Sequence, residues 1–184
     1  MPDLSQQLAE AHGFMILEEI LYMKTLIKAV PGVNIRIVNI GAGIGTATLA
    51  MLECRPDSYV FTIDIQEDPH PFGSLAAERM HVQQAGLSNR LEQVLGDSID
   101  VGKSYAGPDF DAILIDGWHS YEHTSGDILT WVPHVKAGGL IMVHDYGEGN
   151  GMWDQVKKAV DEHLAGYKKL GLVNCLIVFE NMLG

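Results

Sequence analysis

The stretch Val38-Asn39-Ile40-Gly41-Ala42-Gly43-Ile44-Gly45 (residues 38–45) joins an apolar, β-branched run to a helical pattern. Glycines at such a junction permit a tight turn and let a ligand approach the backbone closely. The segment therefore reads as a cofactor loop closing a first strand or, on the plainer reading, as a structural turn. The spacing narrows the ligand. A dinucleotide fingerprint runs G-x-G-x-x-G, whereas here the third glycine, Gly45, comes one residue early and Thr46 takes the expected place. A nicotinamide-dependent oxidoreductase thus becomes the alternative rather than the first reading.

Outward from the loop, apolar runs alternate with helical periodicity. Ile35 to Ile40, Tyr59 to Ile63, Leu91 to Leu95, Ala112 to Ile115 and Leu140 to Val143 have the composition of strands, and helical patterns fall at Gly45 to Cys54, Gly73 to Ala85, Tyr121 to Val135 and Gly151 to Leu164. Strands this continuously apolar face no water, so the alternation predicts a parallel sheet covered by helices on both sides. Two short runs at the end, Tyr167 to Leu170 and Cys175 to Phe179, are separated only by residues 171–174. That leaves no room for a crossover, and an antiparallel hairpin is expected. Before the first strand, Leu4, Leu8, Ala11, Phe14, Leu17 and Leu21 recur at three- and four-residue steps, predicting amphipathic helix from Leu4 to Val30, divided near Gly13 and stopped by Pro31-Gly32.

The chain has 184 residues, which suits one compact domain over 1–184, made of a helical cap (1–32) and a core (33–184). No apolar run reaches the length that spans a bilayer, and Asp3, Glu10 and Glu18 interrupt any secretory pattern, so a soluble, cytoplasmic protein without a membrane partner is expected. Cys54 and Cys175 have no metal-ligand spacing and suggest two free thiols. A formal net charge of -12 argues against a nucleic-acid partner, because phosphate backbones reward clustered cations. The same acidity is compatible with a cationic cofactor or a divalent metal, and equally with a solvated face.

Asp64 follows the second strand, with Ile65 beside it, about twenty residues after the glycines. A carboxylate there accepts hydrogen bonds from ribose hydroxyls, or merely caps the next helix. Gly96-Asp97-Ser98 closes the third strand at the same carboxyl edge, which puts Asp97 where an adenine amino group would lie. The fourth strand runs into Asp116-Gly117-Trp118-His119-Ser120-Tyr121 and the fifth into His144-Asp145-Tyr146. Parallel neighbours would gather Asp116, His119, His144 and Asp145, a set competent to bind Mg²⁺ or Mn²⁺. His119 has the chemistry of a general base. Taken singly, each of these residues is as readily a helix cap or a structural histidine. Successive strand residues point to opposite faces, so His144 and Asp145 share an ion only where the strand has already turned into loop.

These residues together resemble the class I S-adenosylmethionine (SAM)-dependent methyltransferases, from the glycine loop through Asp64, residues 85–90 and Gly96-Asp97-Ser98 to the closing antiparallel pair. The resemblance implies a doubly wound, mostly parallel α/β sheet of seven strands with the last inserted antiparallel. It also implies SAM as cofactor, held by Asn39, Gly41, Gly43, Gly45, Asp64, Ile65, Asp97, Ser98 and Asp116. Asn39 stands where the family usually has Asp or Glu. The pattern D-G-x-H-x-Y at 116–121, Asp127, Trp131-Val132-Pro133, Gly138-Gly139 and His144-Asp145-Tyr146 is similar to the methyltransferase 24 subgroup, related to metal-dependent sugar and antibiotic O-methyltransferases. By that likeness Asp116 and Asp145, with His144, would hold a divalent metal, and His119 would take the proton of a hydroxyl on a small-molecule acceptor. His144 occupies a place where metal-using relatives often carry a carboxylate. The remaining alternative is a SAM-binding protein without catalysis. The N-terminal helices, with Met15, Tyr22 and Met23, are core packing, a roof over the acceptor or a homo-oligomer contact, and Trp153 is a further candidate for contact with the acceptor.

Overall fold

The computed structural model describes residues 2–12, 14–149 and 151–182. Seven strands alternate with helices in the order α1 (Leu4–His12), α2 (Leu17–Ala29), β1 (Ile35–Ile40), α3 (Thr46–Cys54), β2 (Ser58–Asp64), α4 (Leu75–Gln84), β3 (Leu91–Leu95), α5 (Ser98–Ser104), β4 (Phe110–Ile115), α6 (Tyr121–Trp131), β5 (Val135–Val143), α7 (Met152–His163), β6 (Lys168–Val173) and β7 (Leu176–Glu180). They form one sheet in the order β3-β2-β1-β4-β5-β7-β6. The first five strands pair in parallel, and β7 lies antiparallel between β5 and β6. The architecture is the doubly wound α/β sheet that the sequence predicts.

Period-two alternation builds a core on each face of the sheet. Ile35, Ile37, Ala112, Leu114, Leu140 and Met142 pack on one side under α1, α2, α3 and α4. Val38, Ile40, Ile113, Ile115, Ile141 and Val143 pack on the other under α6 and α7. The helices α1 and α2 therefore belong to the packing of the first face. Gly13, the expected divider between them, lies outside the described residues, as does Asn150 in the loop before α7.

The three largest departures from the sequence expectation each have a local reason. Helix α5 was hidden because its seven residues begin at the same Asp97-Ser98 pair that reads as a ligand site, and Asp97 caps it by accepting from the Ile99 and Asp100 amides. Helix α6 stops at Trp131 rather than at Val135, since Pro133 follows within a short 3₁₀ turn and has no N–H to continue the ladder. Strand β5 starts five residues early, at Val135, because Lys136 to Gly138 are exposed and the stretch to Gly139 carries no large apolar residue to signal a strand.

Trp131 is fully buried beside Phe61, Tyr105 and Phe110, and its Nε1 donates to the Ser98 carbonyl at 2.9 Å. It ties α6 to the start of α5 under the second core. Trp131→Ala is expected to cost about 3–5 kcal/mol in urea unfolding, against a smaller loss for Trp131→Phe, which keeps most of the volume and gives up the hydrogen bond.

Candidate functional site

The parallel register aligns the carboxyl ends of five strands at one edge: Ile40 opposite Ile63 and Ile115, Asp64 opposite Leu95, and Ile115 opposite Val143. The ladder continues one step beyond these ends. Gly41 N donates to Ile63 O, Gly96 N to Asp64 O, Asp116 N to Ile40 O and His144 N to Ile115 O, at 2.9–3.1 Å. Sheet hydrogen bonds thus hold the backbone at the first residue of each functional segment.

The turn after β1 packs against the end of β4. Gly41 has φ +94°, and a Cβ there would lie 2.1 Å from the Asp116 carbonyl oxygen, so only glycine fits. Asp64 fastens the same turn, with Oδ2 accepting from Ala42 N at 2.7 Å and Oδ1 from Gln66 N at 2.8 Å. Beside it opens a cavity of about 550 Å³, within the size range of small-molecule sites, lined by Gly41, Asp64, Ile65, Asp97, Ser98 and others. His70, Phe72, Trp118 and His123 add flat rings to its walls. Carboxylates at a strand end suit a ribose diol and rings suit a base, so the lining fits an adenosine.

Four of the residues expected to meet the cofactor are not among those lining this cavity: Asp116, which belongs to the carboxylate cluster at the end of β4, and Asn39, Gly43 and Gly45. Asn39 is buried beneath the turn, where Nδ2 donates to Gly41 O and Thr48 Oγ1, while its Oδ1 has no partner among the described residues. Gly43 O accepts from Ser74 N, and Gly45 abuts Glu78. Asn39 and Gly45 thus support the loop from below, while Gly43 is half-buried and a Cβ there would meet nothing within 4 Å. Sequence reasoning missed Gln66, His70, Phe72, Gly73, His123 and Asp127 in the lining. Most of them sit on the β2–α4 loop, for which the only signal was a pair of prolines at 69 and 71.

The second half of the site is a cluster of carboxylates and imidazoles. His144 Nδ1 lies 3.2 Å from Asp116 Oδ1 and 3.3 Å from Asp145 Oδ2, and His119 Nε2 lies 2.8 Å from the same Asp145 oxygen. His144 and Asp145 converge because β5 ends at Val143 and Asp145 turns into the left-handed region at φ 56°, which breaks the strand alternation. Burial disfavours the Asp145 anion, yet hydrogen bonds from His119 and His144 hold its carboxyl well below the usual range. The hydrogen bond to Asp145 raises His119 above its ordinary value. Burial opposes charge on His144, but Asp116 and Asp145 outweigh it and raise its pKa.

Behind His144 stands a residue that the sequence did not single out as a site. Glu19, on α2 and 1% exposed, accepts from His144 Nε2 at 3.2 Å, and also from Ile16 N, Cys175 N, Cys175 Sγ and Asn174 Nδ2. Burial works against its anion, but His144 brings its pKa down to about 2. A signal existed: Met15, Glu19, Met23 and Ile27 recur at four-residue steps and all are buried, so Glu19 falls on the apolar stripe. Asp116 Oδ1, His144 Nδ1 and Asp145 Oδ2 offer three donor atoms within 4.8 Å of one another. This mixture of carboxylate oxygen and imidazole nitrogen fits a divalent cation such as Mn²⁺ or Mg²⁺.

Beneath the turn, Glu78 accepts from Thr48 Oγ1, from Thr62 Oγ1 at 2.9 Å and from Gln93 Nε2 at 2.6 Å. Burial pushes its pKa up from the ordinary 4.5 to about 7 despite these bonds. Between those values the folded chain keeps a proton that the unfolded chain releases, so this group's contribution to stability falls as pH rises from 4.5 to 7 and then levels. The gap corresponds to on the order of 3 kcal/mol. Unfolding measured across that window should show Glu78→Gln gaining on the wild type by roughly this amount; parallel curves would refute the assignment.

A family model described as a methyltransferase domain, that of methyltransferase 24, matches residues 38–146. Among curated proteins, the chain is 26% identical over 118 residues to the catechol O-methyltransferase of Mycobacterium tuberculosis (strain ATCC 25618 / H37Rv), covering 64% of this chain. It spans about half the length (50%) of that curated relative. Cofactor-bound Rv0187 from MTB superposes with a TM-score of 0.77 at 17% identity, covering 100% of this chain and 92% of the other. The O-methyltransferase NovP gives 0.71 at 17% identity, covering 92% of this chain and 81% of the other. At these identities the two structures speak to the fold.

Proposed function

The chain belongs to the methyltransferase 24 family of class I SAM-dependent methyltransferases, and from that premise we propose that it transfers the methyl group of SAM to a hydroxyl oxygen of a small molecule, with a divalent cation assisting. One observation carries the reading: a cavity fit for adenosine, with Asp64 at its edge, abuts through Gly41 the strand end that bears Asp116 and its cluster. The nicotinamide alternative falls with the family assignment. An oxygen acceptor is supported by the printed activities of the catechol O-methyltransferase and of NovP, each of which describes that protein.

In the proposed reaction the carbon–sulfur bond of the sulfonium breaks as the acceptor oxygen bonds to the methyl carbon, and the hydroxyl proton passes to His119. Alignment carries most of the acceleration, because the methyl group is already activated. Asp64 takes the ribose hydroxyls on the free lone pairs of oxygens that also accept from Ala42 and Gln66. Asp97 and Ser98 face the base. Asp145 grips His119 Nε2, which orients the ring and leaves Nδ1 as the nitrogen that receives the proton. Asp116, His144 and Asp145 would hold the cation. When bound, such an ion stabilises the alkoxide or phenolate by lowering the hydroxyl's pKa.

The reading is tested with labelled SAM and a panel of catechols and other hydroxylated small molecules, with and without Mg²⁺ or Mn²⁺. Label transfer to no acceptor while SAM is retained would favour a binding protein without catalysis. Asp64→Ala should weaken SAM binding by on the order of 1.5–3 kcal/mol, the worth of a lost charged acceptor, as read by calorimetry. His119→Ala should lower kcat by roughly 10²–10⁴-fold and leave SAM affinity close to wild type; full turnover in that variant removes His119 from the proton transfer.

A further inference from the structure

Glu19 is a charged group on the apolar face of α2, buried and remote in sequence from everything it touches except Ile16. Burying a carboxylate costs several kcal/mol unless donors compensate, and here they do so in two sets. Oε1 takes Asn174 Nδ2, Cys175 N and Cys175 Sγ from the turn between β6 and β7, at 3.0–3.1 Å. Oε2 takes Ile16 N at 2.9 Å and His144 Nε2 at 3.2 Å. The other nitrogen of that imidazole, Nδ1, points between Asp116 and Asp145.

We infer that Glu19 is the positioning residue of the cation site: it accepts the Nε2 proton of His144, so that the Nδ1 lone pair faces the space between Asp116 and Asp145. This rests on the proposed cation at those three residues. Imidazoles that ligate a metal through one nitrogen typically donate the other N–H to a carboxylate or carbonyl, which fixes tautomer and ring orientation. Here a carboxylate already takes Nε2, and the two carboxylates that would ligate the cation face Nδ1, whose proton the cation would replace. Glu19, His144 and Cys175 also lie within 4.8 Å of one another. They do not form a second cation site, because the Ile16 and Cys175 backbone N–H groups already aim at the Glu19 oxygens and would oppose a cation there. The helical cap thus contributes to the chemistry of the edge through His144, without touching a reactant.

Glu19→Gln reverses the sense of the contact. Three donors hold the amide oxygen at the Oε1 place, so the NH₂ takes the Oε2 place, where it deprives Ile16 N of its acceptor and, facing Nε2, drives the imidazole proton to Nδ1. Titration calorimetry of Mn²⁺ into the full-length protein should show about 10–100-fold weaker binding in Glu19→Gln, with SAM affinity unchanged. In a His144→Gln background the same change should add less than about twofold, since Glu19 acts through the imidazole. Wild-type Mn²⁺ affinity in a folded Glu19→Gln, or losses that add across the two positions, overturns the inference while leaving the cation reading intact. No Mn²⁺ binding by the wild type overturns both. Should Glu19→Gln fail to fold, ¹⁵N spectra of the Mg²⁺-loaded wild type decide: His144 protonated at Nε2 alone is the expected result, and a proton on Nδ1 overturns it.

Discussion

The site depends on one close approach, that of the turn after β1 to the end of β4. A Cβ at residue 41 would sit 2.1 Å from the Asp116 carbonyl oxygen, far inside van der Waals contact, so the two strand ends meet only because that position carries no side chain. Everything on the edge follows from this contact. It sets the mouth of the cavity against the carboxylate cluster, and the Asp116-to-Ile40 hydrogen bond locks the spacing. The position is therefore a joint between two half-sites as much as a place where a ligand nears the backbone.

The second constraint is electrostatic. Glu19, Asp116 and Asp145 surround His144, and Asp145 also meets His119. Three carboxylates against two imidazoles leave the cluster short of positive charge. A donor with a sulfonium centre and a divalent ion would both relieve it, which makes the acidic rim consistent with the proposed chemistry. The low pKa of Glu19 and Asp145 has the same origin, since burial alone would have raised both. The carboxylate Glu78, which lacks such a cationic partner, moves the other way.

Most of the fold was legible because apolar alternation is a strong signal. Five strands, the closing hairpin and six of the seven helices fall about where periodicity puts them, and the insertion of β7 between β5 and β6 came only through family resemblance. The misses are local. Helix α5 is short and starts on polar residues, and β5 has no large apolar residue between Val135 and Leu140. That Asp64, Asp97, Asp116, His119, His144 and Asp145 gather at one sheet edge was legible, because polar residues following apolar strands stand out. The left-handed turn at Asp145 was not, since an aspartate in sequence carries no sign of its φ. Nor did glycine spacing tell that Asn39 and Gly45 would be buried while Gly41 faced the cavity. Glu19 was half-legible: the stripe exposes it as an anomaly, but its partners lie beyond any local pattern.

Those partners are His144 and the Asn174-Cys175 turn, separated from Glu19 by 125 to 156 positions. The cap precedes these groups in the chain, so its carboxylate is made before every donor that compensates it except Ile16 N. Until the β6–β7 hairpin emerges, α2 carries an anion short of most of its donors on the face it must bury, which disfavours its docking onto a partial sheet. The helix thus closes over the edge with its carboxylate compensated only once that hairpin is in place.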